Sequence, residues 1–140
     1  MRKLLVPIDG SVVANHAVAR ALEMAQSAGD TKLVLLNVQE TLERWYTHGL
    51  LNKEALAHLE QQGREAAAEA RTLLDESGID YDFLIVYGKS AEVIARIARE
   101  QDCMGIVMGT RGLGDLENIL LGSTAYKVVH LAEVPVTLVK

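Results

Sequence analysis

The segment Gly105-Ile106-Val107-Met108-Gly109-Thr110-Arg111-Gly112-Leu113-Gly114, followed by Gly122-Ser123-Thr124, decides the fold. Gly105 to Met108 is a short apolar run without the alternation of a strand that faces water on one side, so it predicts a strand buried on both faces. Three glycines then break the run, and Ser123 opens a helical pattern that continues to Leu131. A buried strand, a glycine loop and a helix start in that order form one half of a strand–helix–strand crossover.

The same unit recurs on both sides of this segment. Upstream, Leu4 to Ile8 is an apolar run ended by Asp9-Gly10-Ser11. Ser11 caps a helix whose inward positions are Ala14, Ala17, Val18, Ala21, Leu22 and Ala25, closed by Gly29. Lys32 to Val38 predicts a second strand. Lys53 to Ser77 predicts a long helix, with Leu56, Leu59, Ala66, Ala67, Ala70, Leu73 and Leu74 on its apolar face and Gly78 at its end; Gly63 inside it weakens the pattern. Tyr81 to Val86 predicts a third strand, whose partial alternation suits a sheet edge. Ser90 is expected to cap a helix with Ala91, Ile94, Ile97 and Ala98 inward, and Val134 to Val139 predicts the fifth strand. Five strands alternating with four helices predict a Rossmann-like α/β fold, an open parallel sheet covered on both faces, in a single domain over residues 1–140.

Composition narrows the function. The chain has 140 residues, 49% of them apolar, which supports a folded core and argues against disorder. A net charge of −5, with no run of Lys or Arg, argues against nucleic acid and anionic membranes as partners. No run has the length of a membrane span, and the apolar start breaks at Pro7 and Asp9, too early for a signal peptide. Cys103 is the only cysteine, which fits a reducing, cytoplasmic setting and reads as a small hydrophobe.

In an open doubly wound sheet, ligands bind beyond the carboxyl ends of the strands, where strand order reverses. Two strand ends stand out. Gly109 to Gly114 with Gly122-Ser123-Thr124 reads as a phosphate cradle: glycines let backbone approach a ligand, a helix start offers free N–H groups, and Arg111 adds a cation. Glycines that merely turn the chain and hydroxyls that merely cap a helix are the competing account. Asp9, at the end of the first strand, has two readings of equal weight, a helix cap shared with Ser11 or an acceptor for ribose hydroxyls.

Other motifs fail on spacing. Gly88-Lys89-Ser90 resembles the end of a P-loop, but Phe83 occupies the position of the first glycine and strand formers lie between. Gly112 and Gly114 lack the third glycine of a dinucleotide fingerprint, since that position is Glu117. His16, His48, His58 and His130 are scattered without zinc spacing and read as solvated. Gly-x-Ser-x-Gly is absent, and no residue is assigned a catalytic role.

The chain resembles the universal stress protein family. Val6-Pro7-Ile8-Asp9-Gly10-Ser11, then Gly109-Thr110-Arg111-Gly112 followed after nine residues by Gly122-Ser123, and the closing Val134-Pro135-Val136 carry the likeness over essentially the whole chain. The resemblance implies strand order 3-2-1-4-5, a dimer, and a stress-response or regulatory role. It implies adenine-nucleotide binding, of ATP or else ADP or AMP, with or without Mg²⁺ or Mn²⁺. Pro7, Ile8 and Asp9 would line the adenosine, with Asp9 on the ribose. Val38 would meet the adenine edge, and Met108, Gly109, Gly112, Gly122, Ser123 and Thr124 would flank ribose and phosphates. Two departures stand out: Met104 replaces the acid common at the start of strand four, with Asp102 out of register, and Asp115-Leu116-Glu117 fills a stretch where the family often has a basic residue.

The last strand has nothing after it to cover the sheet edge, and exposed edges invite pairing. Pairing of Val134 to Val139 with a second copy in twofold symmetry is therefore expected. Thr41 to Asn52 is expected to vary most; Trp45 and Tyr46 read as a small apolar cluster under the loop, with a cover for the adenine or a partner surface as the other reading. Two functions compete with nucleotide-dependent regulation. One is a slow ATPase or phosphotransferase with Asp9, Asp115 or Glu117 on a metal and Arg111 on the transferred charge; the other is a nucleotide-free dimeric scaffold.

Overall fold

A computed structural model describes residues 1–40 and 52–140. Trp45, Tyr46 and His48, with the rest of residues 41–51, lie outside the described residues. The elements run β1 (Arg2–Pro7), α1 (Val12–Ala28), β2 (Thr31–Gln39), α2 (Lys53–Ser77), β3 (Tyr81–Tyr87), α3 (Ser90–Glu100), β4 (Gly105–Gly109), α4 (Ser123–Leu131) and β5 (Val136–Val139). The strands form one parallel sheet in the order β3-β2-β1-β4-β5. The third strand is at an edge, as its pattern predicts.

Successive side chains of a strand point to opposite faces, and here both faces are apolar. Leu4, Val6 and Ile8 pack with Leu33, Leu35 and Val107 under α1 and α2. Leu5, Val34, Leu36, Ile106 and Met108 pack under α3 and α4. This two-sided burial is why β1, β2 and β4 read as unbroken apolar runs.

The helix ends follow local chemistry. Ser11 Oγ accepts the Ala14 N–H at 3.1 Å, and Asn52 Oδ1 accepts the Ala55 N–H at 2.8 Å. Gly78 closes α2 with φ +74, a conformation that other residues adopt at a cost. Three details differ from the sequence reading. Leu73 points outward, while Gly63 is buried: a Cβ there would lie 2.9 Å from both Asn37 Oδ1 and Ile85 Cδ1, so α2 needs a glycine to approach the sheet. Strand β5 starts at Val136 rather than Val134, because Pro135 has no N–H and contributes only its carbonyl, to Ile106 N–H at 2.9 Å. Asp102 has φ +55 and turns the chain after α3, so it is a turn residue rather than a displaced strand acid.

Candidate functional site

Strand β1 lies between β2 and β4, with Leu4 opposite Leu33 on one side and Gly105 on the other. Chain order reverses there, so the ends of β1 and β4 diverge and leave a crevice. A cleft of about 350 Å³ opens at that point. It is lined by every residue expected to bind nucleotide: Pro7, Ile8 and Asp9 after β1, Val38 at the end of β2, Met108 and Gly109 at the end of β4, Arg111 and Gly112 in the loop, and Gly122, Ser123 and Thr124 at the start of α4. Leu36 and Ile94 complete the apolar side, with Pro7, Ile8, Val38 and Met108.

The floor is fixed from beneath by Asn37, which is buried. Its Nδ2 donates to the Ile8 carbonyl at 2.8 Å, and its Oδ1 accepts from Gln39 Nε2 at 2.7 Å. The amide therefore ties β2 to the turn that carries Asp9.

In the structure Asp9 does not cap α1 but bonds two backbone amides. Its Oδ1 accepts the Ser11 N–H at 2.9 Å and its Oδ2 accepts the Leu113 N–H at 3.0 Å. Ser11 does the helix capping, while Asp9 straps the β1–α1 turn to the loop after β4. The strap explains Gly112: a Cβ there would sit 2.5 Å from Asp9 Oδ2, so a larger residue would have to displace that oxygen.

The loop closes on itself at its neck, where Gly122 N–H donates to the Thr110 carbonyl at 2.6 Å. Inside it, Gly112 N–H donates to Asp115 Oδ2 at 2.8 Å. Arg111 is partly spent, since its Nη1 donates to the Glu117 carbonyl. Helix α4 starts from Gly122 without a side-chain cap, so its first-turn amides form an uncapped positive end beside Ser123 and Thr124.

Among the described residues three carboxylates, Asp9, Glu40 and Asp115, line the cleft against one guanidinium, that of Arg111. The side chain of Glu117 stays out of it, so the expected pair of loop acids reduces to Asp115. Glu40 was not foreseen, and it corrects the role of Ser90. Lys89 holds the N-cap position of α3 without a side-chain bond. The Ser90 N–H donates instead to Glu40 Oε1 at 2.9 Å. A carboxylate from the end of β2 thus caps α3, and both residues line the cleft.

His16, His58 and His130 are exposed, as expected of solvated residues. Among the described residues no group of three or more His, Cys, Asp or Glu is placed to hold a metal ion. A divalent cation here would rest on Asp9 or Asp115 and on ligand oxygens, a donor set that suits Mg²⁺ better than an all-protein cage would. Among the described residues no helix is long and apolar enough to cross a membrane.

Sheet order and cleft together define an open α/β protein with a glycine-built crevice at its topological switch point. A profile of the Universal stress protein family matches residues 1–140. A universal stress protein of Thermus aquaticus is 34% identical over 140 residues, covering 99% of this chain and 98% of its own. The structure of the protein MJ0577 superposes with a TM-score of 0.85 at 27% identity, over 99% of this chain and 95% of that one. An Arabidopsis thaliana family protein solved with AMP bound has the same fold, with a TM-score of 0.70 at 21% identity over 100% of this chain and 92% of its own. The chain belongs to the universal stress protein family.

Proposed function

We propose that this protein binds an adenine nucleotide in the cleft and acts as a cytoplasmic, single-domain regulatory module of the stress response. One observation carries the reading: an uncapped helix start and a glycine loop face one side of a crevice whose other side is apolar. An adenosine phosphate has that same division, a flat base at one end and an anion at the other. AMP, dAMP and cAMP, named as ligands of three proteins of this fold, support the choice of base.

In this reading Pro7, Ile8, Val38 and Met108 hold the base and sugar by apolar contact. Asp9 releases Leu113 to accept from the ribose hydroxyls. Gly109, Gly112, Gly122, Ser123 and Thr124 offer backbone and hydroxyl donors to the phosphates, with Arg111 as the cation. ATP binds with Mg²⁺ or Mn²⁺, the cation supplying positive charge between phosphates and carboxylates. The working unit is a homodimer through the β5 edge, Val134 to Val139, supported by the position of β5 at the end of the sheet and by the exposed Leu138.

The test begins with the supernatant of heat-denatured purified protein, examined by ultraviolet absorbance and chromatography for released nucleotide. Calorimetric titration with adenosine, AMP and ATP follows. Micromolar affinity for at least one of them is expected, and no heat from any of them overturns the reading. Light scattering at micromolar concentration is expected to give the dimer mass.

A further inference from the structure

We infer that Asp115 is the specificity-determining residue of this cleft: its carboxylate holds the anion position of the glycine loop and selects against ligands carrying several phosphates. The inference rests on the nucleotide reading and deepens it, because it concerns which phosphate chain the site takes.

The geometry places the carboxylate where a phosphate would go. Asp115 Oδ2 accepts the Gly112 N–H at 2.8 Å. The same oxygen covers Gly122, because a Cβ built there would run into it. The carboxylate thus spans both glycines that bound the cradle, beside the uncapped end of α4. The intervening turn holds it there: Asp115 N–H donates to the Gly112 carbonyl at 3.3 Å, and Gly114 takes φ +82.

Among the described residues no cation forms an ion pair with it: Arg111 is directed at the Glu117 carbonyl, and the other charged groups lining the cleft are carboxylates. A phosphate chain that enters must take Gly112 N–H from Asp115 and then remain beside its charge. Like charges brought together out of bulk water disfavour each other, and the penalty rises with the ligand's charge. A nucleoside avoids that penalty, a monophosphate meets part of it, and a triphosphate meets it in full unless a divalent cation lies between.

Asp115→Asn removes the charge and keeps the shape and the acceptor oxygen for Gly112. Adenosine, AMP and ATP are titrated calorimetrically into wild type and variant in EDTA, and ATP again in excess Mg²⁺. Glu117→Gln serves as the control, since it removes an equal charge from outside the cleft. In EDTA, Asp115→Asn is expected to tighten ATP about tenfold or more, the scale of one charge-assisted hydrogen bond, and adenosine less than about twofold. Mg²⁺ is expected to shrink the ATP difference. An ATP-to-adenosine affinity ratio unchanged by Asp115→Asn overturns this inference and leaves nucleotide binding standing. An equal gain from Glu117→Gln also overturns it, because the effect would then be one of net charge. Wild type that binds none of the three ligands overturns the nucleotide reading and this inference with it.

Discussion

Asn37→Asp tests the link between the sheet and the site with almost no change of shape. In the native protein the buried amide donates to the Ile8 carbonyl at 2.8 Å and accepts from Gln39 at 2.7 Å. The substitution keeps the acceptor for Gln39 and replaces the donor by an oxygen. At pH 7 the new group has two options. It stays ionised, which leaves the Ile8 carbonyl unpaired, at about 1–3 kcal/mol, and also desolvates a charge. Alternatively it takes up a proton and restores the donor. Protonating an acid of ordinary pKa near 4 at pH 7 costs about 4 kcal/mol, which caps the penalty. We therefore predict a loss of about 2–4 kcal/mol at pH 7, a large share of the ~5–15 kcal/mol that holds a domain together. The pH dependence has a definite sign. Burial raises the introduced carboxyl in the folded state above its unfolded value, so the folded state holds the extra proton between the two. Stability relative to wild type then falls as pH rises through that window and recovers as pH falls toward 4. The cap at pH 5 is only about 1.5 kcal/mol. Urea unfolding followed by circular dichroism at pH 7, 6 and 5 measures this, with midpoints compared at equal m. A midpoint at pH 7 within error of wild type, or a deficit that grows toward pH 5, would refute the reasoning.

The remaining predictions address capping, the anion site and the thiol. Glu40→Ala is expected to cost about 1 kcal/mol by uncapping α3, and Ser90→Ala less than about 0.5 kcal/mol, both by urea unfolding; the reverse ranking would return the cap to Ser90. Gly122→Glu puts an anion at the start of α4, where an added Cβ would lie 3.2 Å from Arg111 Cα, and is expected to weaken ATP binding at least about a hundredfold by calorimetry. Unchanged affinity in a folded variant would sink the phosphate assignment. Burial pushes the Cys103 thiol above its ordinary value, with Asp102 adding to the rise and Lys3 opposing it. Its reaction with a disulfide reagent at pH 8 is therefore expected to be about a hundredfold slower in native protein than in denaturant, and comparable rates would contradict the burial.

The sequence was most legible where chemistry is local. Gly78 ends α2, and the span Lys53–Ser77 follows from its periodicity. The candidate cleft was legible for a related reason: strand ends and glycine loops are local signals, and the parallel order brings them together. Misreadings arose where the partner is distant. Ser90 has the composition of a cap, but its amide is met by Glu40, fifty positions away in the chain. Gly63 reads as a defect until Asn37 and Ile85 appear opposite it. Asp115 and Glu117 are equivalent by composition, and only the fold of the loop sends one carboxylate inward and leaves the other outside. Ala14, Ile94 and Ala125 reach the cleft from helix faces that look like ordinary core.

The strapped loop has an energetic consequence for any ligand. The amides of an empty cradle are met either by water or by the chain's own side chains. Here Gly112 and Leu113 are already paired with Asp115 and Asp9. An incoming phosphate or ribose therefore exchanges one charge-assisted hydrogen bond for another, and the net gain from each is small. In the proposed reading, the affinity beyond what the uncapped start of α4 contributes then comes from the apolar side, from Pro7, Ile8, Leu36, Val38 and Met108, at ~25 cal/mol per Å² of surface removed from water. Under the proposed nucleotide reading the two sides divide the work: the apolar side holds the base, and the acidic loop sets which phosphate chains can follow it. Under this division a base-side substitution such as Val38→Ala weakens adenosine and ATP by similar factors. A change at Asp115 separates the two ligands, and that contrast distinguishes a selective loop from a merely weak site.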